Sequence, residues 1–431
     1  MNVLFVHNNF PGQFQYIARA LARDLKNKIV AIGSSTSRKI AGIHVVRYDL
    51  QHIDVSSAHP FARRFDIECH RAEQVLYALT SLASSGFIPD VILAHPGWGE
   101  TLPLRTVFPR AKLIIYCEFF YHANGRDVGF DSEFPPNGLD GNVGLHLKNA
   151  SSLLALADCD GAISPTEWQR STFPAEFQEK ITILHEGVDT DRLTPNPGAT
   201  LRLNSTQELR SSDEVVTFVC RNLEPLRGYH IFMRALPRIM AERPHSQIVI
   251  IGGDRVSYGA PAPDGSTWKT LFLNEVADRI DLSRVHFLGR LPYSEYIRAL
   301  QISSAHVYLT YPFVLSWSLL EAMSAGCVVI ASDTAPVREA VNNKCGILVP
   351  FFDFDGLAKK AIEVLASPRR FSSLRLAARD TITDRYDLSR QCLPKMIAFV
   401  EQAAASATSV RRQVRAPLSV GSQHIRARPA L

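Results

Sequence analysis

Long apolar runs, paired cysteines and a large excess of either charge are all missing from this 431-residue chain. No apolar stretch approaches the roughly 18 residues of a membrane helix, which argues against a spanning segment. The opening residues, Met1-Asn2-Val3-Leu4-Phe5-Val6-His7-Asn8-Asn9, lack a basic leader and soon turn polar. That is unlike a secretory signal, and a cytoplasmic protein is the expectation. The seven cysteines (Cys69, Cys117, Cys159, Cys220, Cys327, Cys345, Cys392) are odd in number, scattered and never spaced Cys-x-x-Cys. Reduced, mostly buried thiols fit that pattern better than disulfides or metal ligands. Basic residues barely outnumber acidic ones, 47 to 42, for a formal +5. Five of them, Arg411, Arg412, Arg415, Arg426 and Arg428, fall in residues 402–431, which hold no acid, so the rest of the chain carries 42 of each sign. A neutral body argues against nucleic acid as a partner, because that binding draws on a basic face.

What is present is ordinary globular material, 46% hydrophobic and 21% charged, long enough for two or three domains at about 100 to 200 residues each. Short Val- and Ile-rich runs alternate with stretches of helical period, the pattern of parallel sheets in an α/β protein. Candidate strands cover 3–6, 29–32, 44–47, 91–94, 113–116, 161–163 and 181–184 in the first half. In the second half they cover 215–220, 247–251, 285–288, 305–309, 328–331 and 346–349. One sheet of that width would be unusual, so two doubly wound, Rossmann-like sheets are expected. Residues 189–213 run through Pro195-Asn196-Pro197-Gly198 and Asn204-Ser205-Thr206 without a sustained apolar period. The expected division is therefore a first domain over 1–190, a linker over 191–213, a second domain over 214–385, a last helix over 386–404 and an unordered, Arg-containing tail over 405–431.

Open parallel sheets bind ligands beyond the carboxyl ends of their strands. One candidate site runs from Tyr311 to Gly326, where Ser316 suits an N-cap, Leu319, Leu320 and Met323 keep helical spacing, and Gly326 ends the helix. Amides near Ser316, Trp317 and Ser318 would favour an anion such as phosphate, and Glu321, one turn in, could accept hydrogen bonds from vicinal hydroxyls. A solvated surface helix would look the same from this segment alone. The second candidate is Cys220-Arg221-Asn222-Leu223-Glu224-Pro225-Leu226-Arg227-Gly228. Two arginines on a strand-to-helix turn can converge on a pyrophosphate. In the first half, Gly12 sits in the turn after the first strand, where backbone can approach a ligand. His95 and Trp98 follow another strand. Glu118 and His122 open a long irregular stretch to Gly144, and loops of that length are usually functional or mobile.

These segments resemble the retaining glycosyltransferases of family four, which have the GT-B fold of two Rossmann-like domains facing a cleft. The family's phosphate loop usually reads Gly-Arg-x-x-x-x-x-Lys-Gly; Arg221 matches its Arg, and Arg227-Gly228 stands for Lys-Gly. Phe287-Leu288-Gly289-Arg290-Leu291 is similar to the strand and loop beside the nucleotide base, and Leu320-Glu321-Ala322-Met323-Ser324-Ala325-Gly326 to the helix whose Glu grips the ribose. Ser164-Pro165-Thr166-Glu167-Trp168 and Glu186-Gly187-Val188-Asp189 resemble the segments leading into the interdomain crossover. The resemblance implies transfer of a sugar from a nucleotide diphosphate to an acceptor hydroxyl, without a metal or other cofactor. It places Gly12, Arg221, Arg227, Gly289, Leu291, Leu315, Ser316, Trp317 and Glu321 around the donor. Arg221, Arg227 and Glu321 would serve catalysis, with Glu118 or His122, and His95, Trp98, Glu118 and His122 would lie on the acceptor side.

Two departures stand out. The family usually has a second glutamate eight positions before Glu321, where this chain has Phe313, and its Gly-Phe-Gly turn is replaced by Val314-Leu315-Ser316. A His usually contacts the transferred sugar near the position that Glu118 occupies, with His122 one turn later. An epimerase of nucleotide sugars on the same fold, or a two-domain binding protein, remains an alternative reading. By family analogy the acceptor is a carbohydrate or a lipid-linked sugar in polysaccharide or glycoconjugate assembly. The arginine-bearing tail could then contact anionic lipid at the inner face of the membrane.

Overall fold

The computed structural model describes residues 1–134 and 138–413, with side chains as far as Ser406. The first sheet contains β1 (Asn2–Val6), β2 (Lys28–Ser34), β3 (His44–Tyr48), β4 (Val91–Ala94), β5 (Lys112–Tyr116), β6 (Gly161–Ser164) and β7 (Ile181–Ile183). A hairpin of β8 (Thr200–Arg202) and β9 (Glu208–Arg210) follows. The second sheet contains β10 (Val215–Asn222), β11 (Gln247–Gly253), β12 (Val285–Gly289), β13 (Ala305–Tyr308), β14 (Val328–Ser332) and β15 (Ile347–Val349). Strand orders are β3-β2-β1-β4-β5-β6-β7 and β12-β11-β10-β13-β14-β15, every neighbour parallel. Both are doubly wound, with the order reversing between β1 and β4 and between β10 and β13, so the expected pair of Rossmann-like domains is present.

The strands read as unbroken apolar runs because helices cover both faces of each sheet. Successive residues of β1 show it: Leu4 and Val6 join one core cluster, Val3 and Phe5 the other. The second sheet divides in the same way, Val216 and Phe218 against Val215 and Val249.

Residues 191–213 contain more structure than a linker. The β8–β9 hairpin buries Leu201 and Leu209, and the Asn204 carboxamide oxygen accepts the Thr206 and Gln207 amides in its turn. Three-residue strands with one inward leucine each are too short to show a period. The last helix also differs from expectation. A π-helical turn over Leu388–Cys392 leads into an α-helix over Leu393–Gln413, so the unordered tail expected from 405 is corrected as far as 413. The alanines at 403–405 are strong helix formers. Residues 414–431 lie outside the described residues, as do the side chains of Arg411 and Arg412.

That last helix returns to the first sheet, where Met396, Val400 and Ala404 pack with Val3 and Phe5. The chain therefore crosses between the halves twice. The two crossings lie side by side: the Val188 amide donates to Tyr386 O at 2.7 Å, and the Leu388 amide to Val188 O at 2.9 Å. The carboxyl ends of the two sheets face each other. Phe119, just past β5, packs edge-on against Phe313, just past β13, with ring centroids 4.7 Å apart.

Part of the long stretch after β5 bridges the halves. Asp131 accepts the Tyr311 hydroxyl at 2.7 Å and lies 3.0 Å from His230 Nε2. Glu133 takes both Nη atoms of Arg234 at 2.7 Å, and Phe134 packs on Trp268 and His230. This segment is thus a clamp between the domains.

Gly187 tests the double crossing. Its φ is +90°, and a Cβ there would lie 2.6 Å from the Leu388 backbone. Gly187→Ala should cost about 1–3 kcal/mol of stability through strain and clash, read as a lower denaturant midpoint at unchanged slope.

Candidate active site

On the first-domain side, His7 and His95 leave β1 and β4, the strands flanking the reversal. His7 Nδ1 accepts the Asn9 amide at 2.9 Å, so its proton sits on Nε2 and is donated to Gln13 Oε1 at 2.7 Å. Gln13 Nε2 in turn donates to Glu118 Oε1 at 2.9 Å. His95 Nδ1 accepts the Gly97 amide at 3.1 Å, which turns its Nε2 proton toward Glu118 Oε2 at 3.3 Å. Burial, with His95 nearby, drives the His7 pKa down to about 3, so this imidazole is neutral. Burial works to raise the Glu118 pKa, but the His95 and Gln13 contacts outweigh it and hold the carboxyl below the usual Glu range. The Glu118 side chain is still 31% exposed. Trp98 stacks on His95 at 4.5 Å.

Two expectations change here. Gly12 has φ +48°, but a Cβ on it would lie 2.3 Å from His7 Nε2, so the space it leaves is filled by the imidazole. His122 donates from Nε2 to Thr172 O at 2.6 Å and packs on Phe120, apart from the Glu118 group. Of the two residues after β5, it is Glu118 that joins His95 at the sheet's mouth. His7 and Gln13 complete that group, and their only sequence signal is their place in the turn after the first strand.

On the second-domain side, Arg227 is 6% exposed and sits in a tight turn ended by Gly228 at φ +68°. A Cβ on Gly228 would be 2.3 Å from Leu309. Arg227 Nη1 donates to Thr310 Oγ1 at 2.9 Å, to Val314 O at 3.0 Å and to the Tyr308 hydroxyl at 3.3 Å. The guanidinium lies 5.6 Å from the Phe313 ring and 5.8 Å from the Tyr258 ring, within cation–π range. Nε and Nη2 bond to no described residue. Arg221, at the end of β10, is exposed and likewise makes no hydrogen bond to a described residue.

The Tyr308 hydroxyl also accepts the Ser316 amide at 2.8 Å. Arg227 is thereby joined through one oxygen to the start of the helix Trp317–Ser324. Ser316 caps that helix, its Oγ accepting the Ser318 amide at 3.4 Å. Of the three amides expected to be free, only that of Trp317 lacks a partner among the described residues. Leu315 is buried beneath this turn. Gly289 ends β12 at φ +61° with open space beside it, and Leu291 packs into the core next to it. Glu321 accepts the Tyr293 hydroxyl at 2.8 Å and the Tyr296 hydroxyl at 2.6 Å. Burial raises its pKa, against the pull of those hydroxyls. Each carboxylate oxygen keeps acceptor capacity. The tyrosine pair has no signal in the sequence.

Among the described residues, Asp131, Glu133 and His230 are the one grouping spaced like metal ligands. Tyr311 and Arg234 already take their oxygens. The chain has three Asp-x-Asp triplets, at 158–160, 189–191 and 353–355, and one aspartate of each has a partner outside the candidate site: Asp160 pairs with Arg105 and Lys112, Asp191 with Arg390, and Asp353 caps a helix.

Residues 25–193 match the family model described as "Glycosyl transferase family 4 group", and residues 202–381 that described as "Glycosyl transferases group 1". The chain is 29% identical over 344 residues to a GDP-mannose-dependent monoacylated alpha-(1-6)-phosphatidylinositol monomannoside mannosyltransferase of Corynebacterium glutamicum, covering 76% of this chain and 82% of that one. A GDP-mannose-dependent alpha-(1-6)-phosphatidylinositol monomannoside mannosyltransferase of Mycobacterium tuberculosis is 26% identical over 310 residues, 67% of this chain and 71% of its own. Among solved structures, a sucrose-phosphate synthase from Thermosynechococcus elongatus superposes with TM-score 0.69 at 16% identity, covering 96% of this chain and 99% of that one. Anabaena HepE in complex with UDP-glucose gives 0.62 at 15%, covering 95% and 100%. At these identities the structural matches speak for the fold alone.

The Glu118 group makes a prediction with a definite sign. A depressed carboxyl pKa contributes stability above its unfolded value, here 4.5, and that contribution is lost as pH falls through the folded value. Gln13→Ala removes one donor and should raise the Glu118 pKa in a carboxyl NMR titration. The difference in melting temperature between variant and wild type should be larger near neutral pH and shrink as pH falls through the folded Glu118 value.

Proposed function

The chain is a nucleotide-sugar glycosyltransferase of the family four type, and on that premise we propose retaining, metal-independent hexosyl transfer to an acceptor hydroxyl. The observation that carries this reading is the Tyr308 hydroxyl, which takes hydrogen bonds from both Arg227 and the Ser316 amide. A buried cation and the positive end of a helix are thereby fixed side by side, the arrangement a leaving diphosphate needs. The bond from the anomeric carbon to the phosphate oxygen breaks with its electron pair leaving on the diphosphate. The acceptor oxygen bonds to the same carbon, and its proton passes to the leaving group.

In this reading Arg227 supplies its Nε and Nη2 edge to the diphosphate, Arg221 adds an exposed charge, and Trp317 offers its amide. Glu321 holds the ribose while its tyrosines keep it oriented. Glu118, charged and steadied by Gln13 and His95, accepts a hydroxyl of the transferred sugar from the opposite side. His95 and Trp98 wall the acceptor side. Arginines and helix dipole stand in for a cation.

The relatives' names make GDP-mannose the first donor to test and a lipid-linked acceptor the first partner, in glycoconjugate or polysaccharide assembly. No helix among the described residues is long and apolar enough to cross a membrane. Contact of the arginines beyond 405 with anionic lipid belongs to the same reading, and a chain ending at 405 should lose membrane recovery if it is right.

Arg227→Ala should lower kcat/KM by about 10²–10³, the size of losing one preorganised charge-stabilising donor, with Arg227→Lys intermediate. The product should keep the donor's anomeric configuration, and chelator should leave the rate unchanged. An inverted product or a divalent-cation requirement would sink the proposal.

A further inference from the structure

Glu186 lies on the first crossing between the domains, and neither sheet's ligand group uses it. Its side chain is only 4% exposed, yet three donors from different places converge on the carboxyl group. The Tyr116 hydroxyl, at the end of β5, bonds to Oε1. The Trp317 indole Nε1 lies 3.4 Å from Oε2, a long hydrogen bond, and His185 Nε2 lies 3.7 Å from the same oxygen. His185 Nδ1 accepts the Gly187 amide at 2.9 Å, which leaves its proton on Nε2, facing Glu186. Glu186 also lines a small cavity between the first domain and the last helix, with Gln13, Tyr16, Tyr116 and Met396.

Trp317 is the first residue of the helix at the donor site, and its backbone amide is the unpartnered one. Its indole reaches Glu186, outside its own domain. Resting on the reading above, we infer that Glu186 is a positioning residue. By holding Tyr116 of the first sheet and the indole of Trp317, it sets the phosphate-facing amide in register with the first-domain mouth when the cleft is closed.

The protonation state follows from the surroundings. Tyr116 from β5, Trp317 from the donor-site helix, His185 on the same crossing and Cys392 from the second crossing face the carboxyl group, with Asp387 and Lys395 behind Cys392. No arginine or lysine pairs with it among the described residues. Burial raises the Glu186 pKa to about 7 and drives that of His185 down to about 4. A neutral carboxyl keeps both ties, its carbonyl oxygen accepting the Trp317 indole proton while its hydroxyl and that of Tyr116 share the other hydrogen bond.

The sign of the pH effect follows by linkage. Where opening the cleft returns Glu186 toward its ordinary value of 4.5, the closed form loses relative stability as pH rises from there to about 7, and no further above it.

Glu186→Gln is the neutral mimic: its amide can donate to Tyr116 and accept from Trp317. The experiment compares kcat against pH at saturating GDP-mannose for wild type, Glu186→Gln, Glu186→Ala and Trp317→Phe. It also follows intrinsic Trp317 emission against pH, as the difference between wild type and Trp317→Phe. Wild-type turnover should fall relative to Glu186→Gln across the window from 4.5 to about 7. Glu186→Ala and Trp317→Phe should both be about tenfold slower, the scale of one hydrogen bond, with donor KM within about twofold. Wild-type Trp317 emission should titrate with a midpoint near 7, and that of Glu186→Gln should not.

A Glu186→Gln profile identical to wild type, or Glu186→Ala turnover equal to wild type, overturns the inference. The emission needs no substrate. A titration of Trp317 without sugar transfer would keep the tie and remove the functional reading, whereas transfer with a flat emission would do the reverse.

Discussion

A buried guanidinium without a carboxylate partner sets the terms for the second domain. Taking such a charge out of water costs several kcal/mol unless nearby groups compensate, and no carboxylate pairs with Arg227 among the described residues. Neutral groups do the compensating: one threonine hydroxyl, one tyrosine hydroxyl, one carbonyl and two aromatic faces. All three hydrogen bonds leave from Nη1, so the charge is held in place while the other edge stays uncommitted. The turn at Gly228, the buried Tyr308 and the Ser316 cap all serve that one placement.

The first domain is built the other way round. Its mouth holds an anion, Glu118, steadied by neutral donors in series from His7 through Gln13 and from His95. The two mouths are therefore unlike in charge as well as in partners. A sugar whose anomeric carbon gains positive character would lie between a carboxylate on one side and a diphosphate held by arginine on the other. On the proposed reading neither domain alone offers both, so closure of the cleft would belong to the chemistry. The Asp131 and Glu133 clamp and the paired crossings hold the halves in that relation.

Much of this was legible in the sequence, for identifiable reasons. Parallel strands buried on both faces appear as short apolar runs, and all thirteen expected strands occur within a few residues of their places. Arg221, Arg227 and Glu321 could be picked out because spacing within one turn or helix carries them. What was illegible depends on distant partners. Tyr293 and Tyr296 reach Glu321 from another helix, and Gln13 meets Glu118 across 105 positions. Nothing local distinguishes His122 from Glu118; the Thr172 carbonyl decides it. The β8–β9 hairpin escaped because two inward leucines make no period.

Position 313 then has a physical reading. A carboxylate there would stand beside a buried guanidinium, and at a separation near that of Phe313, 5.6 Å from Arg227, opposite charges in a low-dielectric site attract strongly. Such a pair would neutralise Arg227 and draw its free edge inward. A phenylalanine instead offers a ring face, which steadies the cation without competing for its protons. The same ring seats Phe119 from the first domain, and so lies where the two mouths meet. The carboxylate the donor side lacks is present across the cleft as Glu118, one residue before Phe119. In this chain, the contact that closes the domains and the contact that steadies the cation share one side chain.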